Sequence, residues 1–181
     1  MSAFKVALVT GAGKMRIGNA VALALAERGT YVAVHYRTSA ADAARTVRQI
    51  ESRGANALAV QADLADEADV HRMVQEIVDR FGCIDVLVNA AAVWEAKPLD
   101  QVTAADVRRH FDINALGTFL CSQRVGLLMV AQPEGGSIIT IGDWAIERPY
   151  RNYAAYFPSK GAIPAMTRSL AVELGARNPN V

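Results

Sequence analysis

The chain has little cysteine, no strong charge of either sign and no long hydrophobic run. Its two cysteines, Cys83 and Cys121, form no CxxC pair, so we expect small core residues rather than a disulfide. The 19 basic and 18 acidic side chains leave a formal net charge of +1 over 181 residues. Lys and Arg are scattered rather than clustered, which removes the electrostatic basis for tight binding to nucleic acid or to an anionic membrane. We expect neither partner.

Unbroken apolar stretches extend no further than runs such as Val125 to Ala131, far short of the roughly 18 residues that predict a membrane span. The segment from Met1 to Thr10 shows no charged leader followed by a long apolar region and a cleavage site. We therefore expect no transmembrane helix, no export and a cytoplasmic protein. With 52% hydrophobic and 20% charged residues, the composition is that of a globular domain.

Short apolar runs rich in Val, Ile and Leu alternate with longer stretches of helical periodicity. The runs, predicted as buried strands, are 4–10, 30–36, 56–62, 84–89 and 137–141. The helical stretches are 17–28, 40–53, 67–81 and 103–130, and glycine follows each of the first three. This alternation predicts a single α/β domain over residues 1–181, with a doubly wound parallel sheet (Rossmann fold) covered by helices on both faces.

The first predicted strand is joined to the first helix by a glycine-rich turn, TGAGKMRIG, residues 10–18. Glycines allow the backbone to approach a pyrophosphate, and the N–H groups at a helix start favour an anion. The spacing is neither GxGxxG nor a P-loop, because Gly18 is followed by Asn19 and Ala20. The turn predicts a phosphate site, and an ordinary strand-to-helix turn is the alternative.

Residues after the next three strands indicate which dinucleotide would bind. The second strand ends without the acidic residue that would bind a ribose 2′-hydroxyl, and Arg37 and Ser39 stand there instead. They could bind a 2′-phosphate, which favours NADP(H) over NAD(H), although a solvated basic loop is the alternative. Asp63 and Asn89 follow the third and fourth strands, at the sheet edge where an adenosine site would lie.

Five landmarks together resemble the short-chain dehydrogenase/reductase family from residue 4 to the end of the sequence. They are Thr10-Gly11 with Gly18, Asp63-Leu64, Asn89-Ala90-Ala91, Asn114, and Tyr156 with Lys160 four residues later. The resemblance implies that Asn114, Tyr156 and Lys160 are active-site residues, with Tyr156 as acid or base and Lys160 as its electrostatic partner and ribose ligand. It also implies cofactor contacts from Gly11, Gly13, Arg16, Ile17, Gly18, Leu64 and Ala91.

The spacing of Tyr156 and Lys160 suits acid–base chemistry. A free phenol has a pKa of about 10, and a lysine one helical turn away places a cation near it. We therefore expect Lys160 to lower the pKa of Tyr156 toward neutrality.

Asp143 occupies the position, thirteen residues before the tyrosine, where the family usually has a serine that donates a hydrogen bond to the substrate oxygen. An ionised carboxylate can only accept hydrogen bonds, so Asp143 cannot stabilise an oxyanion that develops on a ketone. It also opposes Lys160 by raising the pKa of Tyr156. Asp143 suits a substrate that offers N–H groups, or a proton transfer to a ring nitrogen.

This substitution resembles the pteridine reductases, a branch that includes dihydropterin and dihydromonapterin reductases, in which Asp, Tyr and Lys form the catalytic set. Residues 142–148 are similar to the dihydromonapterin-type pattern, and residues 35–39 are similar to the NADPH-binding loop of that branch. Arg16 also stands where most of the family has glycine. The resemblance implies an aromatic residue after the fourth strand that stacks on the pterin, and Trp94 occupies that place, with a core or interface role as its alternative.

The sequence departs from the family pattern in three places. The glycine-rich turn has one extra residue around Met15, and Ala90 and Ala92 replace the second Asn and the Gly of the usual Asn-Asn-Ala-Gly. Pro158 and Pro164 lie in the helix of Lys160, where an interior proline favours a kink. The chain ends where the family begins its sixth strand, so we expect the carboxyl-terminal strands and part of the nicotinamide site to be missing.

Three functions remain open from the sequence. The first is an NADPH-dependent reductase of a pteridine-like heterocycle, and the second is a 3-oxoacyl or other carbonyl reductase in which Asp143 is tolerated. The third is a dinucleotide-binding module without turnover. The family resemblance further implies a homo-oligomer, a dimer or homotetramer, that pairs through helix 103–130 and the Tyr156 helix. His35, His71 and His110 show no ligand spacing, so we expect no metal.

Overall fold

The structure, a computed structural model, describes residues 4–181 and contains one parallel sheet of five strands. Residues 1–3, which the single-domain prediction also covers, lie outside the described residues. The strands are β1 (Val6–Val9), β2 (Tyr31–Tyr36), β3 (Ala57–Gln61), β4 (Val86–Asn89) and β5 (Ser137–Thr140). Their order in the sheet is β3-β2-β1-β4-β5. The predicted doubly wound α/β fold is confirmed.

Six α-helices connect and cover these strands. They are α1 (Ile17–Ala26), α2 (Ala40–Glu51), α3 (Glu67–Phe81), α4 (Ala104–His110), α5 (Gly117–Val130) and α6 (Tyr156–Gly175). A π-helical segment, Phe111–Leu116, joins α4 to α5, so the helix predicted over 103–130 is continuous from Ala104 to Val130 but contains a π segment. A π segment widens the helix by one residue per turn and is common at functional sites. Short 3₁₀ turns stand at Leu99–Gln101 and Trp144–Ile146.

Capping residues fix three of the helix boundaries. The Asp66 carboxylate accepts the Asp69 N–H at 3.0 Å at the start of α3, and Gly82 ends that helix with a φ of 87°. Thr103 and Asp106 form a reciprocal capping box at the start of α4. Side-chain caps satisfy N–H groups that have no acceptor in the first turn, and glycine adopts positive φ without a steric cost.

The sheet separates two apolar clusters because successive strand residues point to opposite faces. The cluster against α3 and α5 includes Leu8, Ala33, Val60, Met73, Ile77, Leu87, Val125 and Met129. The cluster against α1 and α2 includes Val9, Ala22, Val32, Val34, Ala43, Ile50 and Val88. The strands β1 to β4 are mostly apolar, as a sheet covered on both faces requires. The prediction of a buried strand at 137–141 is wrong, because Ser137 and Ile139 of β5 are exposed at the edge of the sheet.

The two prolines of α6 leave the helix continuous. Pro158 is its third residue, where a backbone N–H would have no intrahelical acceptor, and only Pro164 is interior. The helix runs from Tyr156 to Gly175, so Tyr156 and Lys160 stand one turn apart on it.

One helical stretch, Ala104–Val130, is long and apolar enough by length and composition to cross a membrane. A count of unbroken apolar runs does not reveal this stretch, because polar residues interrupt it. In the structure, 56% of its apolar 18-residue segment is buried inside the fold, where α5 packs on α3 and α6. Burial of this kind accounts for the apolar composition of a core helix.

Candidate active site

A cleft of about 380 Å³ opens at the carboxyl ends of the strands, where the sheet order reverses between β1 and β4. Open α/β sheets bind ligands at this position. Segments that follow all five strands line the cleft, together with the start of α6. All of the predicted site residues line it except Gly18, Asn89 and Asn114.

The turn after β1 leaves a row of backbone N–H groups free. The Gly11 N–H donates to the His35 ring at 3.0 Å, and the Ala12 N–H donates to the His35 carbonyl at 3.1 Å. Within residues 4–181, the N–H groups of residues 13–16, which precede α1, donate to no acceptor. Free N–H groups at the start of a helix of this length attract an anion, so the turn fits the pyrophosphate of a dinucleotide.

Two glycines give the turn its shape. Gly11 has a φ of 66°, and a Cβ there would lie 2.7 Å from the Ala91 Cα atom. A Cβ on Gly18 would lie 2.9 Å from the Gly11 carbonyl oxygen. Gly18 therefore allows α1 to pack on the turn, whereas Gly13 and Ile17 line the cleft itself.

The adenosine end of the cleft contains a cation and a free hydroxyl group. Arg37 Nη1 lies 3.7 Å from Asp63 Oδ2, and both side chains are 43% exposed. Ser39 precedes α2 but makes no capping hydrogen bond, so its hydroxyl is free to contact a ligand. An arginine beside a free hydroxyl fits a 2′-phosphate, and the loosely paired Asp63 leaves the guanidinium accessible.

Asn89 and Asn114 lie behind the cleft rather than in its wall. The Asn89 amide donates to Ser122 Oγ at 3.0 Å. Asn114, in the π-helical segment, accepts the Val93 N–H at 2.8 Å and donates to the Val93 carbonyl and to Ser159 Oγ, both at 3.0 Å. Asn114 therefore ties the segment before Trp94 to α6, which makes it a positioning residue in this structure.

Tyr156 and Asp143 are directly hydrogen-bonded. The Tyr156 hydroxyl donates to Asp143 Oδ2 at 2.7 Å, and Asp143 Oδ1 accepts the Ala145 N–H at 2.9 Å. Burial raises the pKa of Tyr156 well above its ordinary value, and the Asp143 carboxylate raises it further. Tyr156 is therefore held as a neutral phenol.

Lys160 does not act on Tyr156 as the sequence predicts. Its buried ammonium group donates to the Ile141 carbonyl oxygen. Burial lowers the pKa of Lys160, and the Asp143 carboxylate opposes that effect. The expectation that Lys160 lowers the pKa of Tyr156 is wrong for this structure, because the phenol is paired with a carboxylate and the ammonium with a backbone oxygen.

Trp94 lines the cleft and belongs to a group of stacked rings, here called the aromatic wall, whose other members Tyr150 and Tyr153 lie outside the lining. The Trp94 ring, 56% exposed, stacks on Tyr153 with centroids 5.2 Å apart and 13° between the planes. Tyr150 contacts the edge of Tyr153 at 5.0 Å. Tyr150 and Tyr153 had no role predicted from the sequence, although tyrosine at 150, 153 and 156 is a three-residue repeat that could have indicated a shared face.

The histidines form no ligand cluster in the part of the chain that the structure describes. Within residues 4–181, no three His, Cys, Asp or Glu side chains are grouped so that they could hold a metal ion. His35, left without a role by the sequence, is instead buried beneath the glycine-rich turn.

Comparison with known proteins assigns the whole described chain to one family model. The model described as short chain dehydrogenase matches residues 5–181. An uncharacterised oxidoreductase of Methylorubrum extorquens is 41% identical over 177 residues, which is 98% of this chain and 70% of that protein. A hydroxynaphthalene reductase-like protein of Metarhizium brunneum is 36% identical over 178 residues, 98% of this chain and 65% of that protein. The chain thus spans about two thirds of the length of such relatives.

Solved structures share the architecture. A short chain dehydrogenase from Burkholderia cenocepacia in complex with NADP has a TM-score of 0.89 and 37% identity, over 96% of this chain and 69% of that one. An NAD⁺-bound xylitol dehydrogenase has a TM-score of 0.90 and 35% identity, over 96% of this chain and 66% of that one. Similar structures thus carry either dinucleotide.

Proposed function

Because this chain belongs to the short chain dehydrogenase family of oxidoreductases, which bind a nicotinamide dinucleotide, we propose that it is an NADPH-dependent reductase of a planar nitrogen heterocycle of the pteridine class. The observation that carries this proposal is the hydrogen bond from Tyr156 to Asp143, at the position where the family usually has a serine.

Different residues of the cleft would bind different parts of the cofactor. The free N–H groups of residues 13–16 would hold the pyrophosphate, and Arg37 with Ser39 would hold the 2′-phosphate that distinguishes NADPH from NADH. Lys160, whose ammonium group lines the same cleft, would bind the ribose. When bound, the dinucleotide supplies the hydride.

Tyr156 supplies the proton. Its raised pKa keeps the phenol protonated at neutral pH, which is the form a general acid needs in a reduction. The phenolic proton lies in the 2.7 Å hydrogen bond to Asp143, which also lines the cleft, so the hydroxyl must turn from Asp143 toward the substrate to donate it. When the phenol gives up its proton, that hydrogen bond to Asp143 is lost, so the transfer favours a basic acceptor such as a ring nitrogen.

The charge of Asp143 supports a substrate with N–H groups. A carboxylate can accept hydrogen bonds from such groups, but it repels the negative charge that develops on a carbonyl oxygen. The Trp94 and Tyr153 stack offers a flat, partly exposed face on which a fused heteroaromatic ring can lie.

A second candidate is the reduction of an aromatic carbonyl compound. The hydroxynaphthalene reductase-like relative favours it, and so does the same aromatic wall. In that case Asp143 acts mainly as the cap of the following 3₁₀ turn, through the hydrogen bond from Ala145.

NADPH oxidation with a dihydropterin and with a bicyclic aromatic ketone, measured side by side, tests the proposal. We expect turnover of the dihydropterin in the native protein and a loss of at least roughly a hundredfold in Tyr156→Phe, because the general acid is removed. Turnover of the ketone alone would favour the second candidate. Tight NADPH binding with no turnover of either compound would favour a binding module.

Assembly into a dimer or tetramer remains part of the proposal. Apolar side chains on α5 and α6 stay exposed in the single chain, including Leu127 at 42% and Val172 at 72%. Sedimentation of the purified protein measures the oligomeric state.

A further inference from the structure

We propose that His35 is a positioning residue for the dinucleotide, because its Nδ1 atom holds the glycine-rich turn in the shape that presents free N–H groups to the pyrophosphate. The inference rests on the proposed dinucleotide binding. His35 lines the cleft but is almost fully buried, so its role is to fix the backbone of the turn that contacts the dinucleotide.

Both ring nitrogens of His35 are hydrogen-bonded, and the side chain is 3% exposed. Nδ1 accepts the Gly11 N–H at 3.0 Å, and Nε2 contacts the Ala62 carbonyl oxygen at 3.1 Å. Because a carbonyl oxygen can only accept, the ring proton is on Nε2 and Nδ1 carries the lone pair. The two contacts thus assign the neutral Nε2–H tautomer.

The Nδ1 contact decides where the anion site begins. His35 takes up the first two N–H groups of the turn, the Gly11 N–H with its ring and the Ala12 N–H with its own carbonyl oxygen. From Gly13 to Arg16 the N–H groups are free. Without Nδ1, the Gly11 N–H has no acceptor, and this unsatisfied donor destabilises the observed conformation of the turn.

The turn has little room to adjust on its other side. Gly11 is at positive φ, and an added Cβ would lie 2.7 Å from Ala91 Cα, which shows how closely the two backbones approach. The His35 ring and the Ala91 backbone therefore hold Gly11 from two sides.

The Nε2 contact extends the same support to the adenosine end. Ala62 follows β3 and precedes Asp63, which lies beside Arg37. One buried ring thus connects the phosphate turn to the segment beside the predicted 2′-phosphate site. The two contacts use different ring atoms: Nδ1 bonds the turn, and Nε2 bonds the segment at the adenosine end.

Two substitutions separate these contacts. The Asn side chain places an oxygen where His has Nδ1, and the Gln side chain places an N–H where His has Nε2. His35→Asn therefore keeps an acceptor for Gly11, and His35→Gln keeps a donor for Ala62. Each variant loses the imidazole ring, so each serves as the packing control for the other.

The readout is the dissociation constant of NADPH, measured by fluorescence below the thermal unfolding midpoint of each variant. We expect His35→Asn to bind within roughly threefold of the native protein and His35→Gln to bind roughly tenfold or more weakly, since only the latter leaves the Gly11 N–H unsatisfied. Equal affinities for the two variants would overturn the role of Nδ1. If the native protein binds neither NADPH nor NADH, the proposed function fails. If the native protein binds NADPH but the two variants bind it equally, only the role of Nδ1 fails.

A second measurement needs no variant. Nitrogen NMR of the native protein reports which ring nitrogen of His35 carries the proton. The inference requires an unprotonated Nδ1 and a protonated Nε2 at pH 7, and the opposite tautomer contradicts it, because Nδ1 could then not accept from Gly11.

Discussion

The Tyr156 hydroxyl donates a 2.7 Å hydrogen bond to the Asp143 carboxylate, and the two residues come from different elements, the start of α6 and the segment after β5. This pair determines the protonation of the site. A carboxylate that accepts the phenolic proton stabilises the neutral phenol, whereas a nearby cation would stabilise the phenolate. The pair therefore keeps the phenol protonated, which is the form that the proposed reduction needs.

Removal of the Asp143 charge should lower the pKa of Tyr156. In Asp143→Asn the amide oxygen can still accept the hydrogen bond, but the negative charge is gone, while burial of the phenol continues to raise its pKa. Ultraviolet titration of tyrosine, compared with the same titration of the Tyr156→Phe/Asp143→Asn double variant, isolates the relevant group. An unchanged or higher midpoint in Asp143→Asn would show that the carboxylate does not control Tyr156.

Arg37 should decide the preference for NADPH. Arg37→Ala removes the cation at the adenosine end, so we expect the NADPH dissociation constant to rise roughly tenfold to a hundredfold and the NADH constant to stay within about twofold. Arg45→Ala is the matched control, because Arg45 pairs with Asp42 on α2 and does not line the cleft. If Arg37→Ala weakened the binding of NADPH and NADH equally, Arg37 would not be the residue that binds the 2′-phosphate.

Trp94 should contribute to substrate affinity. Trp94→Ala removes the flat ring that stacks on Tyr153, and we expect the KM of a bicyclic substrate to rise roughly tenfold with the NADPH affinity unchanged. Trp144→Ala is the control, because Trp144 is 79% exposed and does not line the cleft. A similar KM in both variants would show that the aromatic wall does not bind the substrate.

The burial of His35 should make the fold less stable in acid. Burial lowers the pKa of His35 to about 4, with opposing effects from the Ala62 hydrogen bond and from Asp63, against 6.5 for a free histidine. The unfolded chain therefore binds the proton first as the pH falls, so stability declines between about 6.5 and 4, by up to about 3 kcal/mol. Urea unfolding at pH 7 and pH 4.5 should show a larger decline for the native protein than for His35→Asn. Equal declines would contradict the low pKa.

The sequence predicts local structure best where one residue type has one physical role. Asp66 and Gly82 bracket α3 because a cap needs an acceptor and a left-handed C-terminus favours glycine, so the predicted boundaries 67–81 match the structure. The residues that line the cleft could likewise be recognised in the sequence, because they follow the predicted strands. Their order along the chain was enough to bring Asp143 and Tyr156 to the same cleft.

Contacts between distant segments could not be predicted in this way. Spacing alone placed Lys160 near Tyr156, but the ammonium group bonds the Ile141 carbonyl, a backbone atom that no sequence pattern marks. The role of His35 depends on Gly11 and Ala62, which the sheet brings to either side of β2. The stacking of Trp94 on Tyr153 depends in the same way on how two loops meet.

The most direct test of the central claim, that the Asp143 charge selects a nitrogen heterocycle over a carbonyl compound, is the effect of Asp143→Ser on kcat/KM for the two substrates. Serine restores a donor for a developing oxyanion, a contact typically worth a hundredfold or more in acyl-transfer enzymes, and removes the carboxylate that accepts N–H groups. We expect kcat/KM to fall at least roughly tenfold for the dihydropterin and to rise for the aromatic ketone. Unchanged dihydropterin turnover together with unchanged ketone turnover would contradict the claim, because Asp143 would then serve only as a cap.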